Sequence, residues 1–157
     1  MANMRSSPAN MTTHTPRRIE ILMVEDSPTD VLITREAIKT SKLTNELHVV
    51  DDGVEAMAFL RKQGNYISVP RPDLVLLDWN LPRKSGREVL EEIKSDQHLK
   101  IIPVVILTSS KAEEDVLRAY GLHANAYVTK PVDFTSFVDL VKSISHFWFT
   151  VVTLPPG

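Results

Sequence analysis

The chain has 157 residues, no cysteine, 43% hydrophobic residues and a formal net charge of −2, with a pI near 6.2. That is one domain's length with enough apolar content for a core. The composition excludes disulfides and thiolate metal sites and offers no general attraction to nucleic acid or anionic membrane. No apolar run approaches the roughly 20 residues of a membrane-spanning helix, and residues 1–18 lack the apolar segment of a secretory signal, so a cytoplasmic protein is expected.

Residues 1–17 are rich in Ser, Thr, Asn and Pro, without a period. They predict a disordered tail, with Met4 and Met11 as alternative starts. Strand-like runs follow at 19–24, 46–50, 74–77, 104–107 and 124–128. The third and fourth are continuous and apolar, as in strands buried on both faces of a parallel sheet. Amphipathic segments at 30–40, 54–62, 86–94, 112–120 and 135–147 separate or follow them. Ser109 and Ser110 precede the fourth as capping residues, and Phe137, Val138, Leu140, Val141 and Ile144 share one face of the fifth. Strand and helix alternate five times, which predicts an open, doubly wound α/β sheet with right-handed crossovers. The receiver-sized unit is placed at 18–147. The ending, 148–157, carries Trp148, Phe149, Val151, Val152 and Leu154. It is too apolar for a free tail and predicts a covered surface, with a dimer contact favoured over folding back.

In open α/β sheets, ligands bind beyond the carboxyl ends of the strands. The first strand ends in Glu25-Asp26, the third in Asp78-Trp79-Asn80, the fourth in Thr108-Ser109 and the fifth in Thr129-Lys130-Pro131. This pattern aims three carboxylates, a hydroxyl and an ammonium at one place. Adjacent carboxylates raise one another's pKa values, and hard oxygen donors suit Mg²⁺. A cation there would keep Asp78 ionised and nucleophilic. Lys130 would add positive charge, and Thr108 a hydrogen bond to an incoming phosphoryl oxygen. Taken singly, each of these residues reads as an ordinary turn, cap or loop residue. Four such sets at one sheet edge are not explained that way.

The runs Val24-Glu25-Asp26-Ser27, Leu76-Leu77-Asp78-Trp79-Asn80-Leu81-Pro82, Leu107-Thr108-Ser109 and Thr129-Lys130-Pro131 resemble the receiver domain of two-component response regulators. The resemblance implies a flavodoxin-like five-stranded sheet of order 2-1-3-4-5 with five helices. It implies Asp78 as phosphoacceptor, Asp26 as a direct Mg²⁺ ligand, Glu25 acting through water and the Asn80 carbonyl as a further ligand. It also implies Lys130 on the phosphoryl group, Thr108 and Tyr127 as a switch pair, and a cis bond before Pro131. The chain departs from the commonest pattern at Glu25, where an aspartate is usual, and at Trp79, which is large beside the nucleophile. Neither Asn80 nor Ser110 offers a base to align a hydrolytic water, which predicts slow autodephosphorylation rather than turnover catalysis.

Arg71-Pro72-Asp73, Gly86-Arg87-Glu88-Val89-Leu90 and the ending from Phe147-Trp148 to Pro155 are similar to the small response regulators of bacterial and cyanobacterial phytochromes. That similarity implies a light-regulated histidine kinase as phosphodonor. It also implies a homodimer formed by the fourth and fifth helices, the fifth strand and the C-terminal extension. An aspartyl phosphohydrolase is disfavoured, because Asn80 stands where the second, acid-donating aspartate would be and no length is left for a cap. A degenerate, partner-binding receiver is disfavoured because Asp78, Lys130 and the acidic pair are all present. A flavodoxin is disfavoured because no Ser/Thr-rich phosphate loop follows the first strand. The five histidines have no ligand spacing, and Arg17-Arg18 and Arg83-Lys84 read as solvated charge pairs.

Overall fold

A computed structural model describes residues 18–41 and 44–143. The predicted tail at 1–17, Ile144 and the apolar ending with Trp148, Phe149, Val151 and Leu154 lie outside the described residues, as does the boundary at 147. Five strands, β1 (Ile19–Val24), β2 (Asn45–Val50), β3 (Leu74–Asp78), β4 (Val104–Thr108) and β5 (Ala126–Thr129), alternate with five helices. These are α1 (Pro28–Thr40), α2 (Gly53–Leu60), α3 (Gly86–Ser95), α4 (Lys111–Ala119) and α5 (Phe134–Ser143). The strands are all parallel, in the order β2-β1-β3-β4-β5, the flavodoxin-like order that the family resemblance implied.

Strand periodicity divides the core into two layers. Leu22, Val24, Val75, Leu77, Val104 and Ile106 face α2, α3 and α4, with Met57, Phe59, Val89 and Ile93. Their neighbours Ile21, Met23, Leu74, Leu76, Val105 and Leu107 face α1 and α5, with Ile38, Phe137 and Leu140. Successive side chains point to opposite faces, so β3 and β4 are apolar throughout and buried along their whole length.

Short polar side chains start the helices by accepting otherwise unpaired backbone N–H groups. Ser27 accepts from Asp30 N, Asp52 from Glu55 N and Ser110 from Glu113 N. Ser85 and Glu88 form a reciprocal capping box at α3. These caps explain the one- and two-residue shifts in where α1, α2 and α4 start. Ser27 with Pro28 starts α1 two residues before Asp30, because proline suits the first helical turn. β5 begins at Ala126 rather than at 124, because both the N–H and the side-chain oxygen of Asn125 bond Val104 and hold that residue outside the strand. A 3₁₀ turn at Gly64–Tyr66, not anticipated, fills the span after α2. It is held by Tyr66, which donates to Glu55 at 2.5 Å.

Of the pair Arg83-Lys84, Arg83 is exposed as expected and Lys84 is half-buried, and both have acidic partners. Arg83 reaches Asp52, the cap of α2, at 3.1 Å, and Lys84 pairs with Glu92. Arg83 adopts a left-handed backbone, φ +64°, an uncommon conformation for a residue with a Cβ. A Cβ on Gly53 would lie 2.1 Å from the Lys84 carbonyl oxygen, so the β2–α2 turn and the β3–α3 loop meet backbone to backbone. Arg18 is likewise engaged, with Glu20 and Glu46.

Candidate phosphoacceptor site

The parallel register brings the carboxyl ends of β1, β3, β4 and β5 to one edge, where each strand hands its last polar residues to a loop. Asp78 pairs with Leu107 across β3 and β4, and Thr108 with Thr129 across β4 and β5. At the point where the chain order reverses, between β1 and β3, one carboxylate oxygen each from Glu25, Asp26 and Asp78 lies within 4.8 Å of the others. Glu25 and Asp78 are buried, and Asp26 is exposed.

Lys130 closes the cluster. Its ammonium donates to Glu25 at 3.1 Å and to Asp30 at 3.0 Å, and stands 3.4 Å from Asp78 Oδ1. The Lys130–Pro131 bond is cis. The Asn80 N–H donates to Asp78 Oδ1 at 3.3 Å. The Asn80 side-chain amide points to Glu113, whose carboxylate also accepts from the Ser109 N–H. α3 packs tightly under Asp78. A Cβ on Gly86 would lie 2.7 Å from the Asp78 carbonyl oxygen and 2.8 Å from Trp79 Cα, so the glycine permits the close approach. Trp79 is half-buried against the α2–α3 layer.

The electrostatics follow from this crowding. Burial and then the charge of Asp78 push Glu25 up to about 7, against the Lys130 hydrogen bond. Burial likewise raises Asp78, opposed by Lys130 and the Asn80 N–H. Burial pulls Lys130 down, but its bonds to Asp30 and Glu25 and the charge of Asp78 more than offset this and raise it. Three carboxylates (Glu25, Asp30 and Asp78) thus share one ammonium, and Asp26 adds a fourth beside Glu25 and Asp78. An all-oxygen, electron-rich donor set short of positive charge fits a hard divalent cation.

The hydroxyl of Thr108 is fully buried and lies 3.2 Å from Thr129 Oγ1, which in turn bonds Glu114 at 2.8 Å. Tyr127 is half-buried in the same strand, with the Arg118 guanidinium 4.8 Å above its ring. The structure therefore brings Glu25, Asp26, Asp78 and Lys130 together, sets Asn80 at the rim and places Thr108 and Tyr127 along the β4–β5 edge. Sequence reasoning missed Asp30, Glu113 and Glu114, and named Thr129 only as part of the strand end, without its bonds to Thr108 and Glu114. Each acidic residue lies in the first turn of a helix, where a favourable dipole contact explains it. Only the fold reveals their partners, Lys130 for Asp30, Asn80 and Ser109 for Glu113, and Thr129 for Glu114.

Comparison with known proteins agrees with this geometry. Residues 21–142 match the family model described as the response regulator receiver domain. The response regulator Rcp1 of Synechocystis sp. is 51% identical over 135 residues, covering 86% of this chain and 92% of the relative. The crystal structure of the phosphorylated cyanobacterial phytochrome response regulator RcpA is 47% identical, with a TM-score of 0.71, covering 89% of this chain and 100% of that one. The Mn²⁺-bound form of Rcp1 is 50% identical, with a TM-score of 0.69, covering 88% of this chain and 99% of that one. With its parallel sheet, buried aspartate and facing lysine, the chain belongs to the receiver-domain family of response regulators and is related to those of phytochromes.

Proposed function

We propose that this chain relays a signal by accepting a phosphoryl group on Asp78 from a phosphohistidine of a histidine kinase, of phytochrome type. The observation that carries the reading is the buried Asp78 carboxylate, flanked by Glu25 and Asp26 and faced at 3.4 Å by Lys130. An Asp78 oxygen attacks phosphorus, the P–N bond to the donor imidazole breaks, and the electron pair leaves with that ring. Lys130 neutralises charge on the transferred group, and the Asn80 N–H orients Asp78. Thr108 donates to a phosphoryl oxygen once it turns toward the site, and Tyr127 repacks with it as the second half of the switch.

Glu25, Asp26, Asp78 and the Asn80 carbonyl would hold Mg²⁺, which supplies charge neutralisation at the phosphoryl oxygens. The Mn²⁺-bound state of the relative Rcp1 supports a divalent ion here. Asn80, whose amide N–H groups turn to Glu113, and Ser110, whose oxygen caps α4, offer no base to align a hydrolytic water, which supports a long-lived phosphoaspartate. A homodimer through α4, β5, α5 and the C-terminal extension is supported by two exposed apolar side chains, Val116 on α4 at 51% and Tyr120 just after it at 62%.

Intact mass after incubation with acetyl phosphate tests the reading. One phosphoryl group is expected in the presence of Mg²⁺ and none in Asp78→Asn. A folded wild-type protein that gains no mass overturns it and leaves a partner-binding receiver. A hydrolysis half-time of seconds would overturn the claim of longevity alone. Mass by light scattering, with and without phosphorylation, decides the dimer.

A further inference from the structure

Hydrogen counting along the β4–β5 edge fixes a direction. Glu114 is buried, and its carboxylate accepts from Thr129 Oγ1 at 2.8 Å, from Arg118 at 2.9 Å and from Lys111 at 3.2 Å. Burial alone would raise this carboxyl, but the bonds from Arg118, Thr129 and Lys111 hold it below its ordinary value. It is therefore ionised at neutral pH and can only accept. A threonine hydroxyl has one proton. That of Thr129 is committed to Glu114, so in the 3.2 Å pair with Thr108 the proton belongs to Thr108. The other acceptor near Thr108, the Val128 carbonyl at 3.5 Å, also lies on β5.

We infer that Glu114 is a positioning residue which, through Thr129, fixes the Thr108 hydroxyl proton toward β5 and away from Asp78 in the unphosphorylated protein. The inference rests on the reading of Asp78 as phosphoacceptor. To donate to a phosphoryl oxygen, Thr108 must release Thr129, so the relay opposes the phosphorylated arrangement by one buried hydrogen bond. Because Glu114 lies on α4 beside Arg118, release of Thr129 also loosens the link between β5 and α4. The site and the α4 surface are then joined by a chain of three named side chains.

The polarity makes the inference testable with isosteric changes. In Thr129→Val the acceptor of the Thr108 proton is gone. In Glu114→Gln the amide can donate to Thr129, which turns the chain round and makes Thr108 an acceptor from Thr129, leaving its own proton free. Both variants are expected to raise the phosphorylated fraction at subsaturating acetyl phosphate and Mg²⁺ by about three- to tenfold, the worth of one hydrogen bond. The double variant should do no more than the larger single, and Thr129→Ser, which keeps the relay, should match wild type. Fractions unchanged or lowered in both folded single variants overturn the inference. The Thr108 hydroxyl proton, buried enough for detection by NMR, gives a reading independent of phosphoryl transfer. A contact to Thr129 in wild type that is lost in Glu114→Gln is expected, and a Thr129 proton facing Thr108 in wild type overturns the assignment. Absence of phosphorylation in wild type would instead remove the reading of Asp78, while the NMR result would still decide the proton's direction.

Discussion

Lys130 follows β5 directly and Glu114 meets the end of β5 from α4 through Thr129, and their substitutions should have different signatures. Removing the Lys130 ammonium leaves Glu25, Asp30 and Asp78 facing one another without their shared partner. Lys130→Ala is expected to slow phosphorylation by acetyl phosphate on the order of 100-fold or more, as loss of a charge-stabilising donor does, measured as the rate of mass gain. Glu114→Ala should instead cost about 1–3 kcal/mol of stability at pH 7, because it removes charged hydrogen bonds from a buried position. Its pH dependence has a definite sign. The folded-state pKa lies below the ordinary 4.5, so the contribution is complete above that value and is lost as pH falls through the lower, folded one. Urea titrations from pH 7 downward should show the wild-type advantage over Glu114→Ala shrinking only below about pH 5; an advantage independent of pH would show that ionisation of Glu114 adds nothing.

The elements differ in how far their sequences announce them. β3 and β4 were legible because branched apolar runs have one comfortable place in a parallel sheet, and the site was legible because each of those runs ends in a chemical residue. The Asp30–Lys130 pair was not legible, since 100 residues separate the partners and a first-turn aspartate already has a sufficient local explanation. Nor was the left-handed Arg83, because no glycine or asparagine marks it; its conformation is set by the Asp52 cap and by Gly53 pressing on Lys84. The start of α3 joins local and distant demands. Ser85→Ala should cost about 1 kcal/mol, the usual worth of a side-chain cap, with phosphorylation retained. Gly86→Ala should do more, because the added carbon meets the Asp78 carbonyl and Trp79 backbone. Both a lower melting temperature and slower phosphorylation are expected there. A Gly86→Ala protein with wild-type phosphorylation kinetics would show that the β3–α3 contact gives way without moving Asp78.

For the molecule as a whole, the carboxyl edge of the sheet is where folding and function pull against each other. The two apolar layers, with Leu22, Leu77 and Ile106 on one side and Met23, Leu76 and Phe137 on the other, hold together an edge that carries excess negative charge. A cation that binds this edge in the folded chain alone stabilises it by mass action, so Mg²⁺ should raise the melting temperature in a concentration-dependent manner, and less so in Asp78→Asn. Without cation, the order of the two proteins should reverse. Asp78 is held above its ordinary value by burial, and Glu25 near 7 partly by Asp78 itself. A neutral isostere at 78 relieves that repulsion, and each kcal/mol recovered appears as roughly 2–4 °C at this chain length. The inert variant should therefore outlast the competent one in a chelator. On the proposed reading of Asp78, robustness and signalling capacity are rival properties of one carboxylate, and a lineage selected only for endurance would discard the aspartate first.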